Sequence, residues 1–215
     1  MSTFRQLMMR KKGGGIPARY TVVDYILLSA DEPYDGSMNY FHIDTGLYGS
    51  TTPSDNYSCE MTFVATDTKK ENALIINAWN INSYFLLHYS NNVVWHGVNG
   101  GSTVSTAISN DTKYTIKIDI QEGRIYKDGV SVATFTAGSC GTTSIKLFGG
   151  YSLDAWYHSF RGKVDGIKFY APNGDTVRNY VPVYDTVSQK YGFYETIQQQ
   201  FKGNEGTKTF SGGND

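Results

Sequence analysis

Residues 113–135 read KYTIKIDIQEGRIYKDGVSVATF, and this stretch decides the fold. Tyr114, Ile116, Ile118 and Ile120 fall on one side of a period-two pattern, and Lys113, Lys117, Asp119 and Gln121 fall on the other. Such alternation marks a half-buried strand, because successive side chains of an extended chain point to opposite faces. Glu122-Gly123 turns the chain, Arg124–Lys127 runs back, and Asp128-Gly129 turns it again before Val130–Phe135. Asp-Gly between alternating segments is among the strongest hairpin signals. A three-stranded meander is predicted.

Working outward, short apolar or alternating runs predict further strands at Tyr20–Leu28, Tyr40–Leu47, Tyr57–Ala65, Ala73–Trp79, Tyr84–Tyr89 and Val93–His96. Others follow at Ser144–Phe148, Gly162–Tyr170, Val177–Val183 and Lys190–Tyr194. No long amphipathic helix and no internal repeat is evident. Many short strands with frequent turn signals predict an all-β, two-sheet antiparallel sandwich. At 215 residues, with 40% hydrophobic and 18% charged residues, the chain suits one such domain. Its 17 Tyr, 11 Phe and 23 Gly against 5 Pro fit pleated surfaces joined by turns.

A net charge of −1 argues against nucleic-acid binding by the molecule as a whole. The charge is nevertheless uneven. Phe4, Leu7, Met8 and Met9 are interleaved with Arg5, Arg10, Lys11 and Lys12, and Gly13-Gly14-Gly15 follows as a flexible joint. Residues 1–15 therefore read as a short extended docking arm on a body of residues 16–215; a plain solvated terminus is the alternative. No run is long enough to span a membrane, and the start lacks the apolar stretch of a secretory signal. The chain is expected to be made in the cytoplasm and to leave it only as part of something larger. Cys59 and Cys140 are expected to be reduced and buried, since two thiols make no disulfide framework.

Three segments resemble a known family. The meander YTIKIDIQEGRIYKDGVSVATF (114–135) resembles the central hairpins of laminin-G-like and concanavalin-A-like jelly-roll domains. The closing stretch GKVDGIKFYAPNGDTVRNYVPVYDTVSQKYGFYETIQQQFKGNEGTKTF (162–210) resembles the ending of laminin-G-like proteins of bacteriophages of gut bacteria. The opening IPARYTVVDYI (16–26) with Ile43-Asp44-Thr45-Gly46 resembles their start. The likeness spans about residues 16–210. The insertion before Ile43 is longer than the pattern, and Gly192-Phe193-Tyr194-Glu195 replaces its Gly-x-Tyr-Asp. The resemblance implies a concanavalin-A-like jelly roll in a virion structural protein, a capsid decoration or head-fibre component. It would be held by other virion proteins through the arm and present in several copies. In such a particle the displayed sandwich can also meet host or mucosal glycans.

Catalysis finds little support in the residues. Laminarinase-type enzymes of this fold carry E-x-D-x-x-E, and Lys117-Ile118-Asp119-Ile120-Gln121-Glu122 is a near match. Lys117 stands where the nucleophilic carboxylate belongs, and an ammonium cannot form the glycosyl ester. A glycoside hydrolase is thus the remotest reading and no catalytic residue is assigned. His42, His88, His96 and His158 sit in no nucleophile motif or zinc spacing, although His88 and His96 can face each other across neighbouring strands. Asp31, Glu32 and Asp35 crowd one loop and are weak calcium candidates; a solvated acidic loop is the simpler account, and no other cofactor is indicated. For sugar binding, Tyr151, Trp156 and Tyr157 lie in a Gly-flanked loop where rings can stack on a ligand, whereas Trp79 and Trp95 are expected in the core.

Overall fold

The computed structural model describes residues 15–29, 41–66, 72–76, 85–89, 92–96, 103–148, 150–152, 155–157 and 160–215. The predicted arm, except for Gly15, and the candidate calcium loop lie outside them. The strands are, in chain order, Tyr20–Val22 (β1), Tyr25–Leu28 (β2), Ile43–Tyr48 (β3), Ser58–Ala65 (β4), Asn72–Ile76 (β5), Phe85–Tyr89 (β6), Asn92–His96 (β7) and Thr103–Ala107 (β8). The meander follows as Lys113–Asp119 (β9), Arg124–Lys127 (β10) and Val130–Thr134 (β11). Then come Ser144–Leu147 (β12), Gly150–Ser152 (β13), Ala155–Tyr157 (β14), Gly162–Tyr170 (β15), Thr176–Asp185 (β16), Lys190–Glu195 (β17), Gln200–Lys202 (β18) and Ser211–Gly213 (β19). Among the described residues the only helical element is a 3-10 turn at Pro53–Asp55.

These strands form a two-sheet antiparallel jelly-roll sandwich. The larger sheet has eleven strands along β11-β10-β9-β4-β15-β16-β17-β18, with β1 attached to β16, β2 to β15 and β19 to β2. The smaller runs β3-β12-β5-β6-β7-β8. The chain passes repeatedly between them: β3 leaves the large sheet and β4 rejoins it, β5 leaves it and β9 returns. β4 consequently sits between β9 and β15, far from both in sequence. One apolar core joins the sheets, with Ile43, Ile145 and Leu147 from the small sheet meeting Met61, Phe63, Ile116, Val164 and Phe169 from the large one. Phe148, Phe193 and Phe210 pack edge-to-face and stacked at centroid distances of 5.7–6.1 Å. Burying each such ring stabilises the fold by roughly 1.5–3 kcal/mol.

The meander forms as predicted. Ile116, Ile118 and Ile120 are buried, and Asp128 and Gly129 both have positive φ (52° and 80°), the signature of a type I′ hairpin. Asp119 departs from the simple alternation because it is buried. Its Oδ1 accepts the N–H groups of Gln121 and Glu122, so it caps the turn that follows.

Tyr20–Leu28 is two strands rather than one. β1 pairs with β16 (Tyr20↔Asp185, Val22↔Val183) and β2 with β15 (Ile26↔Val164, Leu28↔Gly162), so the chain crosses from one partner to the other at Val23-Asp24. The opening and closing motifs meet here: the Tyr20 ring packs on Tyr194 and Phe201 at 5.0 and 5.7 Å, and the Arg19 guanidinium pairs with Asp185.

The closing segment does contain a repeat. Tyr184-Asp185-Thr186-Val187-Ser188-Gln189-Lys190-Tyr191 and Tyr194-Glu195-Thr196-Ile197-Gln198-Gln199-Gln200-Phe201 form two successive hairpins with matching turns at 186–189 and 196–199. Its pattern, Y-[DE]-T-[VI]-x-Q-x-[YF], escapes notice in the sequence because identity is partial and only the turn chemistry recurs. Cys59 and Cys140 are buried and form no disulfide, and burial pushes the Cys140 thiol up to about 12.

Candidate functional site

The outer face of the large sheet carries rows of side chains set by strand register. One row runs Tyr126↔Lys117↔Glu60↔Lys168↔Asn179 across β10, β9, β4, β15 and β16. Its charges alternate, and the Lys168 ammonium lies 3.1 Å from Glu60. Opposite charges directly across antiparallel strands reinforce the pairing. Lys117 sits 5.7 and 5.5 Å from the Tyr126 and Tyr170 ring centroids and 2.8 Å from Asp119 Oδ2. Burial lowers the Lys117 pKa, but the hydrogen bond to Asp119 and the nearby carboxylates outweigh it, and the net shift is upward. Burial has the opposite effect on an acid and pushes the Tyr170 phenol up to about 12.

The next row is small: Thr115↔Thr62↔Gly166, with the two hydroxyls 2.9 Å apart. A low row beside a tall one leaves a hollow. Beyond it, Lys113 pairs with Val64, and the β4–β15 register skips from Phe63↔Val164 to Thr62↔Gly166. Asp165 is the unmatched residue, a β-bulge that re-aims its side chain. Lys113 Nζ lies 2.6 Å from Asp165 Oδ2, yet Asp165 Oδ1 is buried with no hydrogen-bond partner.

The fork between β15 and β16 completes the site. The β15–β16 pairing ends at Ile167↔Tyr180; past it β16 takes β1 as neighbour and β15 takes β2. The hollow, about 280 Å³, lies at this fork. Glu60, Lys168 and Asn179 line one part, Asp165 another, and Val22, Val23 and Pro182 supply apolar rim. The Val23 N–H donates to Pro182 O at 3.1 Å and fixes that rim.

None of these lining residues is singled out by the sequence. Glu60, Asp165 and Asn179 come from strands whose adjacency depends on crossovers between sheets. The one local signal is Gly166 inside the apolar run GKVDGIKFY, since an isolated glycine in a strand often marks a bulge.

The sequence-predicted residues fall elsewhere. Tyr151, Trp156 and Tyr157 are not in a loop: β13 and β14 form a separate two-stranded ribbon in which Tyr151 pairs with Trp156 and Tyr157 with Gly150. His88 pairs with Val93 and His96 with Phe85, so the two histidines are not register partners. Trp95 lies on β7 between Leu86 and Val104, and Trp79 is outside the described residues. Phe4, Arg5, Leu7, Met8, Met9, Arg10, Lys11 and Lys12 are also outside them, as are Asp31, Glu32 and Asp35. Among the described residues no group of three or more His, Cys, Asp or Glu is placed to hold a metal, and no helix is long and apolar enough to cross a membrane.

No protein-family model matches the chain, and no curated protein does. Similar solved structures include the CBM40 of the Ruminococcus gnavus IT-sialidase bound to α2,3-sialyllactose, at 13% identity and TM-score 0.45, covering 66% of this chain and 91% of that one. Domains LG4-5 of the mouse laminin α1 chain match at 16% identity and TM-score 0.39, covering 66% and 43%. The leech intramolecular trans-sialidase matches at 11% identity and TM-score 0.42, covering 88% and 38%. Likenesses this distant assign the chain to no family.

Proposed function

We propose that this chain is a non-catalytic, glycan-binding β-sandwich. The observation that supports the reading is the hollow at the β15–β16 fork, where polar side chains in cross-strand pairs stand beside an apolar rim of Val22, Val23 and Pro182. Sugar rings present both hydroxyls and C–H surface, and binding sites combine a few placed polar groups with apolar walls. The non-catalytic part rests on the enzyme-like run. Lys117 pairs with Asp119, Asp119 caps its turn, and Glu122 accepts the Tyr126 hydroxyl, so each of the three has a local structural partner. The test is a glycan array of bacterial capsule and mucin sugars, followed by calorimetry and a reducing-end assay. Binding without new reducing ends is expected. A folded chain that binds none of them overturns the reading.

A second reading concerns where the sandwich is displayed: on a virion, as a capsid decoration or head-fibre component docked through residues 1–15. It is favoured by the opening and closing motifs and by the interleaved apolar and basic residues of the arm. Such a chain would be made in the host cytoplasm and assembled in several copies. Mass spectrometry of purified particles is expected to find it, and deletion of residues 1–15 to remove it. Unchanged incorporation overturns the docking role.

A further inference from the structure

The charges around the hollow are matched in pairs. Lys168 has Glu60 at 3.1 Å and Lys113 has Asp165 at 2.6 Å. No arginine lines the hollow. Among the described residues two buried side-chain polar atoms have no partner, Asp165 Oδ1 and Tyr180 Oη. Tyr180 pairs in register with the core residue Ile167, on the inner face. The atom left over on the outer face beside Lys113 is therefore an acceptor, Asp165 Oδ1, on a side chain only 6% exposed. A buried carboxylate oxygen without a donor is costly and calls for one.

We infer that the hollow takes the uncharged, hydroxyl-bearing end of a neutral glycan and disfavours sugars that carry a carboxylate. This rests on the glycan-binding reading and adds the chemistry of the ligand. Recognition of a sugar carboxylate calls for a free cation, best an arginine fork. Here an acidic sugar would have to take Lys113 from Asp165, leaving a nearly buried carboxylate with neither oxygen paired. A hydroxyl or acetamido N–H faces no such conflict, and it brings the donor that Asp165 lacks. The valine and proline rim suits the C–H face of a pyranose. At about 280 Å³ the hollow falls just below the ~300 Å³ at which drug-sized sites begin, so one terminal ring is the fitting size.

Gly166 offers a clean way to fill the site. Its φ is ordinary for an L-residue, and the nearest atom to an added Cβ is Tyr180 O at 3.5 Å, a normal contact. Gly166→Val therefore suits the strand while occupying the hollow. The full chain and this variant, checked for unchanged thermal unfolding, would be titrated by calorimetry with neutral glycans and their sialylated counterparts, lactose and α2,3-sialyllactose among them. The expected result is binding of neutral glycans, at least tenfold weaker binding of the sialylated forms, and at least a tenfold loss in Gly166→Val. Preference for the sialylated forms, lost in the variant, overturns the ligand chemistry while the glycan-binding reading stands. Neutral-glycan binding that survives Gly166→Val overturns the site. Binding of neither set overturns the inference, and silence across the wider array overturns the glycan reading as well.

Discussion

Asp185 and Glu195 occupy the same position in two successive hairpins and hold opposite ends of β17 in the same way. Each carboxylate starts a four-residue turn and accepts the N–H two residues on: Val187 N to Asp185 at 3.0 Å, Ile197 N to Glu195 at 3.1 Å. Each turn also closes on the neighbouring strand segment, Thr186 N donating to Arg19 O and Thr196 N to Asn179 O. They differ in their third partner. Asp185 holds the Arg19 guanidinium, which keeps its carboxyl well below the usual carboxylate range, whereas Glu195 reaches the backbone of Asn179 at 2.8 Å.

Glu195 is fully buried and serves three backbone donors, the third being Gln198 N at 2.5 Å. Removing it strands them. Glu195→Ala is expected to cost about 3 kcal/mol, a Tm drop of roughly 6–12 °C by calorimetry. Glu195→Gln keeps one carbonyl acceptor and is expected to recover part of the loss. A Glu195→Ala protein as stable as the parent would show that the turn holds without the carboxylate.

The same turns leave room for improvement. Gln189 and Gln199 sit at φ 55° and 57°, the left-handed region that costs an L-residue about 1–2 kcal/mol. Replacing either with glycine removes that cost but loosens the unfolded chain, for a net gain of about 0.5–1 kcal/mol. The two changes lie at opposite ends of β17 and are expected to add. Urea unfolding of the single and double variants is the measurement; a midpoint that falls in either single variant refutes the argument.

What the sequence disclosed follows from the range of the interactions involved. The meander was legible because alternation and an Asp-Gly turn are local, and 162–170 because its residues alternate on either side of the bulge at Asp165. β8, β18 and β19 were missed: each is no longer than five residues, and β19 is held by a partner distant in sequence, as Ser211 is by Leu27. The Val23-Asp24 crossing was hidden because its partners β16 and β15 are distant in sequence, while Tyr20–Leu28 reads locally as one mainly apolar run. The hollow is wholly non-local. Lys113 and Asp165, like Glu60 and Lys168, are neighbours only because β4 lies between β9 and β15.

Gly162 tests that central adjacency. Its φ is +146°, and a Cβ there would stand 2.0 Å from Val64 O and 2.9 Å from Phe160 Cζ. The first is backbone of the neighbouring strand and cannot step aside without parting β4 from β15. Gly162→Ala is expected to lose at least ~3 kcal/mol or to fail to accumulate as folded protein. Gly166→Ala, four residues along the same strand, meets only an ordinary contact and is expected to stay within about 1 kcal/mol of the parent. Equal effects from the two would mean that β15 does not approach β4 as closely as this register requires.

His42 sets the response to acid. It is buried, and burial together with the nearby Lys146 lowers its pKa from 6.5 to about 4, against the opposing pull of the Asp44 carboxylate. Between these values the unfolded chain binds the proton and the folded chain does not, so stability rises with pH across the window. Acidification from pH 6.5 to 4 is expected to remove at most roughly 3 kcal/mol through this residue. Asp119 adds a loss lower down. Burial raises its pKa, but Lys117 and the turn N–H groups lower it further, so its contribution is present above its unfolded value and fades as pH falls through the folded one. Urea midpoints measured from pH 7 to about 2 for the parent and for His42→Gln separate the two, because the variant should lose the slope between 6.5 and 4 and keep the decline below it. A parent that is equally stable at pH 6.5 and 4.5 would mean that His42 takes up its proton without leaving its buried place.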